Sequence, residues 1–219
     1  MEKAAVLKRL QETGLVPVLR ADSVEKAIAL AEAVAAGGVD VLEVTMTVPG
    51  AVEVIEWLVK ERPEILVGAG TVLDPETAER CIGAGAKFVV SPALNLKTIA
   101  LCRRVSVAVL PGALTPTEIV TAWEAGADVV KVFPAGAMGG ASYLKSLKGP
   151  LPQIEMIPTG GVSLANAKEF LEAGAFALGV GSDLVDAKAM AAGKPEVVAE
   201  TARKYLAIVR DFRKRRVAV

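Results

Sequence analysis

Four times along the chain, a helix that ends on a glycine hands over within a few residues to an apolar strand: AAGGVDVLEV (35–44), GAGAKFVV (83–90), EAGADVVKV (124–132) and EAGAFALGV (172–180). Glycine stops a helix by adopting the left-handed backbone that other residues resist. Gly38, Gly85, Gly126 and Gly174 lie roughly 40–50 residues apart, about twice the length of one βα unit in an eight-unit barrel. The echo therefore marks every second strand of an α/β chain. Period-2 and short apolar runs predict strands over 16–20, 39–45, 66–69, 88–91, 108–111, 129–133, 155–158 and 175–180. Helical periodicity fills the intervals, as over 23–36, 51–60, 75–82, 116–125 and 164–173, and an amphipathic helix precedes the first strand in MEKAAVLKRLQETG. The reading is a single (β/α)8 TIM barrel over 1–219 with an extra N-terminal helix; an open doubly wound sheet is the alternative.

Register turns the repeat into a chemical statement. The fifth residue after each junction glycine is Glu43, Val90, Lys131 and Gly179. Alternate strands of a barrel feed the same interior layer, so Glu43 and Lys131 are expected to face each other inside. A buried ion pair is a weak source of stability, so a role in packing alone is a poor reason for one. Lys131 sits near the carboxyl end of its strand, where barrel active sites lie. Desolvation by Val130, Val132 and Phe133 would favour the neutral amine that attacks a carbonyl. The resulting iminium is an electron sink, and Glu43 is the interior carboxylate at the register needed to move protons. Lys145 and Lys148, in YLKSLKG, read as an exposed helix face.

Composition narrows the chemistry further. The 219 residues contain no histidine, which removes His-dependent nucleophile systems and HExxH zinc sites. Equal numbers of basic and acidic side chains, 25 each, argue against nucleic acid or an anionic membrane as the main partner. The run Arg210, Arg213, Lys214, Arg215, Arg216 reads as a solvated helix end complementing the macrodipole. Two lone cysteines, Cys81 and Cys102, suggest a reducing compartment. Apolar runs are too short for a membrane span and the N-terminus is not a signal peptide, so the expected location is the cytoplasm.

Glycine-rich strand ends suggest an anion site. PTGGVS (158–163) and GVGS (179–182) end the last two predicted strands, each read as running into a helix. Backbone N–H groups at two helix N-termini would cradle a phosphate, as recurs after the last two strands of barrels; Gly160, Gly161, Gly181 and Ser182 are the named donors. GAGTV (68–72) places Thr71 to offer a hydroxyl and an amide to a carboxylate, and Arg20 could hold an anion in a fork.

These residues together resemble the 2-keto-3-deoxy-6-phosphogluconate (KDPG) and 4-hydroxy-2-oxoglutarate (KHG) aldolase family. The motifs VPVLRAD, AGGVDVLEVT, VGAGTV, VVSP, LPGALTPTE, KVFPA, KGPLP, PTGGV and GVGS occur in that order over nearly the whole chain. The resemblance implies a class I aldolase that forms a Schiff base, needs no metal or other cofactor and works as a homotrimer. It would cleave KDPG to pyruvate and glyceraldehyde 3-phosphate, or KHG to pyruvate and glyoxylate. By position, Lys131 becomes the Schiff-base residue and Glu43 the proton carrier. Thr71, Pro92 and Phe133 line the pyruvate end, while Thr159, Gly160, Gly161, Gly181 and Ser182 hold the phosphate. Many family members carry Arg where this chain has Thr47, and Gly where it has Ala93. The carboxylate would then rest on Arg20, or on the Thr47 and Thr71 hydroxyls. A 2-keto-3-deoxy-6-phosphogalactonate aldolase, a phosphate-binding isomerase or epimerase, and a non-catalytic phosphometabolite-binding barrel are the rival readings.

Overall fold

A computed structural model describes residues 1–217, without the side chains of the last two. The junction glycines behave as their spacing requires. Gly38, Gly85, Gly126 and Gly174 have φ of 90°, 103°, 96° and 94°. In the last three, the next amide closes the helix end (Ala86 to Cys81 O 3.0 Å, Ala127 to Ala122 O 3.0 Å, Ala175 to Phe170 O 3.1 Å), which satisfies carbonyls a helix end leaves without partners.

Between these stops lie the strands β1 (Leu15–Leu19), β2 (Val41–Thr45), β3 (Leu66–Gly70), β4 (Phe88–Val90), β5 (Ala108–Leu110), β6 (Gly112–Ala113), β7 (Val130–Val132), β8 (Met156–Pro158) and β9 (Leu178–Val180). The helices are α1 (Lys3–Thr13), α2 (Val24–Ala36), α3 (Ala51–Glu61), α4 (Pro75–Gly83), α5 (Leu96–Arg104), α6 (Pro116–Glu124), α7 (Ala141–Lys148), α8 (Ala167–Glu172), α9 (Ala187–Ala191) and α10 (Pro195–Val217). Their starts are written in the sequence. Ser23 and Asp74 accept the third amide of α2 and α4, and Thr115 with Glu118 forms a reciprocal capping box on α6. Pro75 and Pro116 occupy first-turn positions that need no N–H.

All strand pairing is parallel, and the sheet curls. Six strands run in the order β5-β4-β3-β2-β1-β9, and a separate sheet runs β6-β7-β8. The expected parallel α/β architecture is thus present, with its strands in two ladders. The fifth predicted strand, 108–111, appears as β5 and stops before Pro111, which has no N–H to donate to a ladder. β5 pairs with β4, while β6, just beyond the predicted span, pairs with β7. Backbone bonds cross between the sheets at both sides: Lys131 N to Pro111 O (2.9 Å), and Phe176 N to Met156 O (2.8 Å), with a bridge between Thr159 and Gly179.

Two apolar clusters follow from strand alternation. One joins alternate strand residues, including Val16, Val41, Leu66, Phe88, Leu110 and Ile157, and is completed by Val6 and Leu10 of α1. The other packs the opposite strand faces against the helices. The N-terminal helix is thus a plug for the inner cluster.

Three local expectations change. The helix predicted from residue 164 begins at Ala167, after a turn. Lys148 is half-buried, bonded to Pro152 O and Ile154 O, not part of an exposed face. In the basic run, Arg210, Lys214 and Arg215 are exposed, but Arg213 is half-buried beside the Gly14 turn, and burial lowers its pKa. The Arg216 side chain lies outside the described residues.

Candidate active site

Lys131, in the middle of β7, and Glu43, in the middle of β2, both point inward and are 4% and 2% exposed. Lys131 Nζ lies 3.7 Å from Glu43 Oε1. That is longer than a good N–H···O hydrogen bond, and Oε1 is buried without a hydrogen-bond partner among the described residues. An orphaned buried acceptor is costly and marks a place where function competes with stability. Gly70 makes room for this carboxylate: a Cβ there would lie 2.6 Å from both Cγ and Cδ of Glu43 and would overlap Oε1.

Two cavities hold the other candidate residues, one lined by Phe133 and one by Thr71; neither is lined by Lys131 or Glu43 themselves. Phe133 follows Lys131 by two residues, with its ring centroid 5.5 Å from Nζ. It lines a cavity of about 610 Å³ together with Val18, Arg20, Thr159, Gly160, Gly181 and Ser182. Asp186 and Lys188 join that lining; no motif had singled them out. Arg20 is therefore brought to the glycine loops. Gly161 is absent from the lining and packs instead on Gly136, where an added Cβ would stand 2.9 Å from the Gly136 Cα. Gly179 must lack a side chain because Thr159 Oγ1 occupies the space a Cβ would take.

The expectation of two helix N-termini at this site is corrected. α8 and α9 begin at Ala167 and Ala187, several residues beyond the glycines, and contain six and five residues. What the loops offer is irregular backbone. Among the described residues, the amides of Gly161, Gly181 and Ser182 donate no backbone hydrogen bond.

The second cavity, about 570 Å³, brings Thr47 and Thr71 together with Thr77 and Arg80. Thr71 has φ of 57°, a left-handed conformation that is unusual for a β-branched residue. Thr45 Oγ1 donates to Leu19 O at 2.9 Å and lies 2.7 Å from Thr47 Oγ1. A hydroxyl has one proton, so Thr47 must be the donor in that second bond, and its proton is already engaged. Arg80 was missed by sequence reading because nothing local separates it from an ordinary exposed helix cation. Pro92 is half-buried, and its carbonyl approaches Gly112 too closely for a side chain there; it lines neither cavity.

Among the described residues, no three His, Cys, Asp or Glu side chains gather as a metal centre would need, and no helix is long and apolar enough to cross a membrane.

Residues 6–201 match the family model for KDPG and KHG aldolase. The KHG/KDPG aldolase of Escherichia coli K12 is 38% identical over 190 residues, covering 87% of this chain and 89% of that protein. A KDPG aldolase structure from Legionella pneumophila, with pyruvate captured as a covalent carbinolamine, superposes with a TM-score of 0.84 at 32% identity, covering 93% of this chain and 97% of the other. The Zymomonas mobilis enzyme with 3-phosphoglycerate gives a TM-score of 0.83 at 32% identity, covering 94% and 97%. With a buried lysine and carboxylate meeting beneath glycine-rich strand ends, and likeness of this extent in both sequence and structure, the chain belongs to the KDPG and KHG aldolase family.

Proposed function

We propose that the protein is a class I aldolase that cleaves KDPG reversibly to pyruvate and glyceraldehyde 3-phosphate, with KHG as a shorter substrate. The observation that carries this is the buried Lys131–Glu43 pair, 3.7 Å apart, with a carboxylate oxygen left without a partner. The neutral Lys131 amine adds to the C2 carbonyl, and loss of water leaves a protonated imine. The C4 hydroxyl gives up its proton to Glu43, the C3–C4 bond breaks, and its electron pair enters the enamine as the aldehyde departs. Glu43 returns the proton to C3, and water then releases pyruvate and the free amine. Stabilising charge only as it develops is what accelerates such a step.

The two cavities suit a substrate with two different ends. Arg20, Thr159, Gly160, Gly181 and Ser182 would take the phosphate, with Gly161 supporting the loop from behind. Thr71 would take the carboxylate, its strained backbone being the kind of cost retained at functional positions. Pro92, Phe133 and Thr47 would complete the pyruvate end. The 3-phosphoglycerate in the Zymomonas enzyme structure supports a phosphorylated substrate for the family. The backbone bonds across Pro111 and between β8 and β9 support closure into a (β/α)8 barrel forming one domain over 1–219. A homotrimer in the cytoplasm, needing no cofactor, completes the reading.

Borohydride reduction with pyruvate, followed by peptide mapping, tests the mechanism. An adduct on the Lys131 peptide is expected. Its absence, or full activity in Lys131→Ala, would overturn the proposal and favour an isomerase or binding protein.

A further inference from the structure

The loop after β8 and the loop after β9 are each stiffened from within. Asn166 bonds Gly161 O at 2.9 Å and the Ser163 amide at 2.8 Å, so the first loop is tied from Gly161 to Ser163. In the second, the amides of Leu184 and Val185 both reach Gly181 O, at 3.0 and 2.9 Å. Among the described residues, one side-chain hydrogen bond joins the two loops: Leu164 N–H donates to Asp183 Oδ2 at 3.1 Å. The same oxygen accepts the Tyr205 hydroxyl at 2.5 Å. Tyr205 comes from α10, is 0% exposed and sits in the main core cluster.

A phenylalanine would fill this core position as well. What the hydroxyl adds is a donor aimed at the carboxylate that follows Ser182. Burial, and then the Asp183 bond, push the Tyr205 phenol far above its ordinary range, so it stays a donor at any working pH. A hydrogen bond to a charged group is among the stronger neutral–charged contacts, and leaving the buried hydroxyl without a partner costs desolvation energy. The long, core-anchored helix α10 thereby reaches a pair of loops that have little regular structure of their own.

We propose that Asp183 and Tyr205 are positioning residues that set the spacing of the two glycine loops, and so tune affinity for the phosphate end of the substrate. Neither residue lines the cavity that Gly160, Gly181 and Ser182 share; they act through the loop backbone. The inference rests on the reading of those loops as a phosphate site. It predicts a defect confined to phosphorylated substrates, because the Lys131–Glu43 pair lies on β7 and β2 and is not held by the clamp.

The test is steady-state cleavage of KDPG and of KHG by wild type, Tyr205→Phe and Asp183→Asn, with exchange of the pyruvate methyl protons measured alongside. Tyr205→Phe is expected to lower kcat/KM for KDPG about tenfold, mostly through KM, while KHG cleavage and methyl exchange stay within about twofold of wild type. Combining both substitutions should add little to the larger single effect, as expected for two members of one network. Equal losses on both substrates would reduce the pair to general stability, and no loss on either would remove it from function; either result overturns the clamp. If Tyr205→Phe does not accumulate folded, Asp183→Asn alone decides, by the same selectivity. A wild-type enzyme with equal kcat/KM for the two substrates overturns the phosphate site itself, and the clamp with it. A phosphate preference that Tyr205→Phe leaves intact overturns only the clamp.

Discussion

Glu43 Oε1 lies against the Cα of Gly70 on one side and 3.7 Å from Lys131 Nζ on the other. Gly70 leaves the space this oxygen occupies, and Oε1 has no hydrogen bond among the described residues. It is close enough to the amine to serve the carbon next to an imine, yet too far to trap the lysine in a tight ion pair.

That geometry separates imine formation from proton transfer. Glu43→Gln preserves size and should still give a borohydride-trapped pyruvate adduct on Lys131. Exchange of the pyruvate methyl protons, followed by NMR in deuterated water, should slow by about 10²–10⁴-fold. Exchange at the wild-type rate would remove Glu43 from the proton path.

Gly70→Ala probes the same carboxylate without touching it chemically. The new Cβ would overlap Oε1 and must push the Glu43 side chain away. Overpacking of this kind typically costs about 1–3 kcal/mol of stability. Methyl exchange should fall by more than about tenfold while the adduct still forms. Melting and exchange measured on one preparation check both parts; unimpaired exchange would show that the carboxylate is not constrained by this glycine.

Thr71→Gly should separate stability from activity. Left-handed backbone costs a non-glycine residue about 1–2 kcal/mol, against about 0.5–1 kcal/mol of extra chain entropy that glycine must lose. The melting temperature is therefore expected to hold or rise while kcat/KM falls. A lower melting temperature would mean that the Thr71 side chain holds the fold together.

Arg20 shares its cavity with the glycine loops. Arg20→Ala should therefore raise KM for KDPG more than for KHG. A larger loss on KHG would move Arg20 to the carboxylate end.

Cys81 and Cys102 carry a pH signature. Burial pushes both thiols from 9.0 up to about 11. The folded chain keeps these protons where the unfolded chain has released them. Their contribution to stability is thus full below pH 9.0 and lost as pH rises towards about 11. Urea midpoints should fall more steeply over that window in wild type than in a Cys81→Ala/Cys102→Ala double variant. At neutral pH, thiol reagents should label the native protein slowly.

Much of the fold was readable because its signals are local. The four junction glycines were recognisable from the residues around them, and all four take the left-handed backbone such stops need. Helix starts at Asp74 and Thr115 were equally local, since a cap and its amide lie three residues apart. The stop before Pro111 was not read, although the proline was visible. Whether one missing N–H breaks a ladder depends on which neighbour that edge meets, and this is a property of the assembled sheet.

The candidate site divides along the same line. The sequence by itself determined the order of βα units, the inward register of Glu43 and Lys131, and the glycine character of the last two strand ends, because strand alternation and glycine conformation are short-range matters. Only the tertiary structure decided that Arg20 joins the glycine loops, that the Thr47 proton is committed to Thr45, that Gly70 shapes the seat of Glu43, and that Tyr205 of α10 reaches back to Asp183. Those relations depend on which loops the packed strands bring side by side and on how far each side chain reaches, quantities that no stretch of local sequence contains.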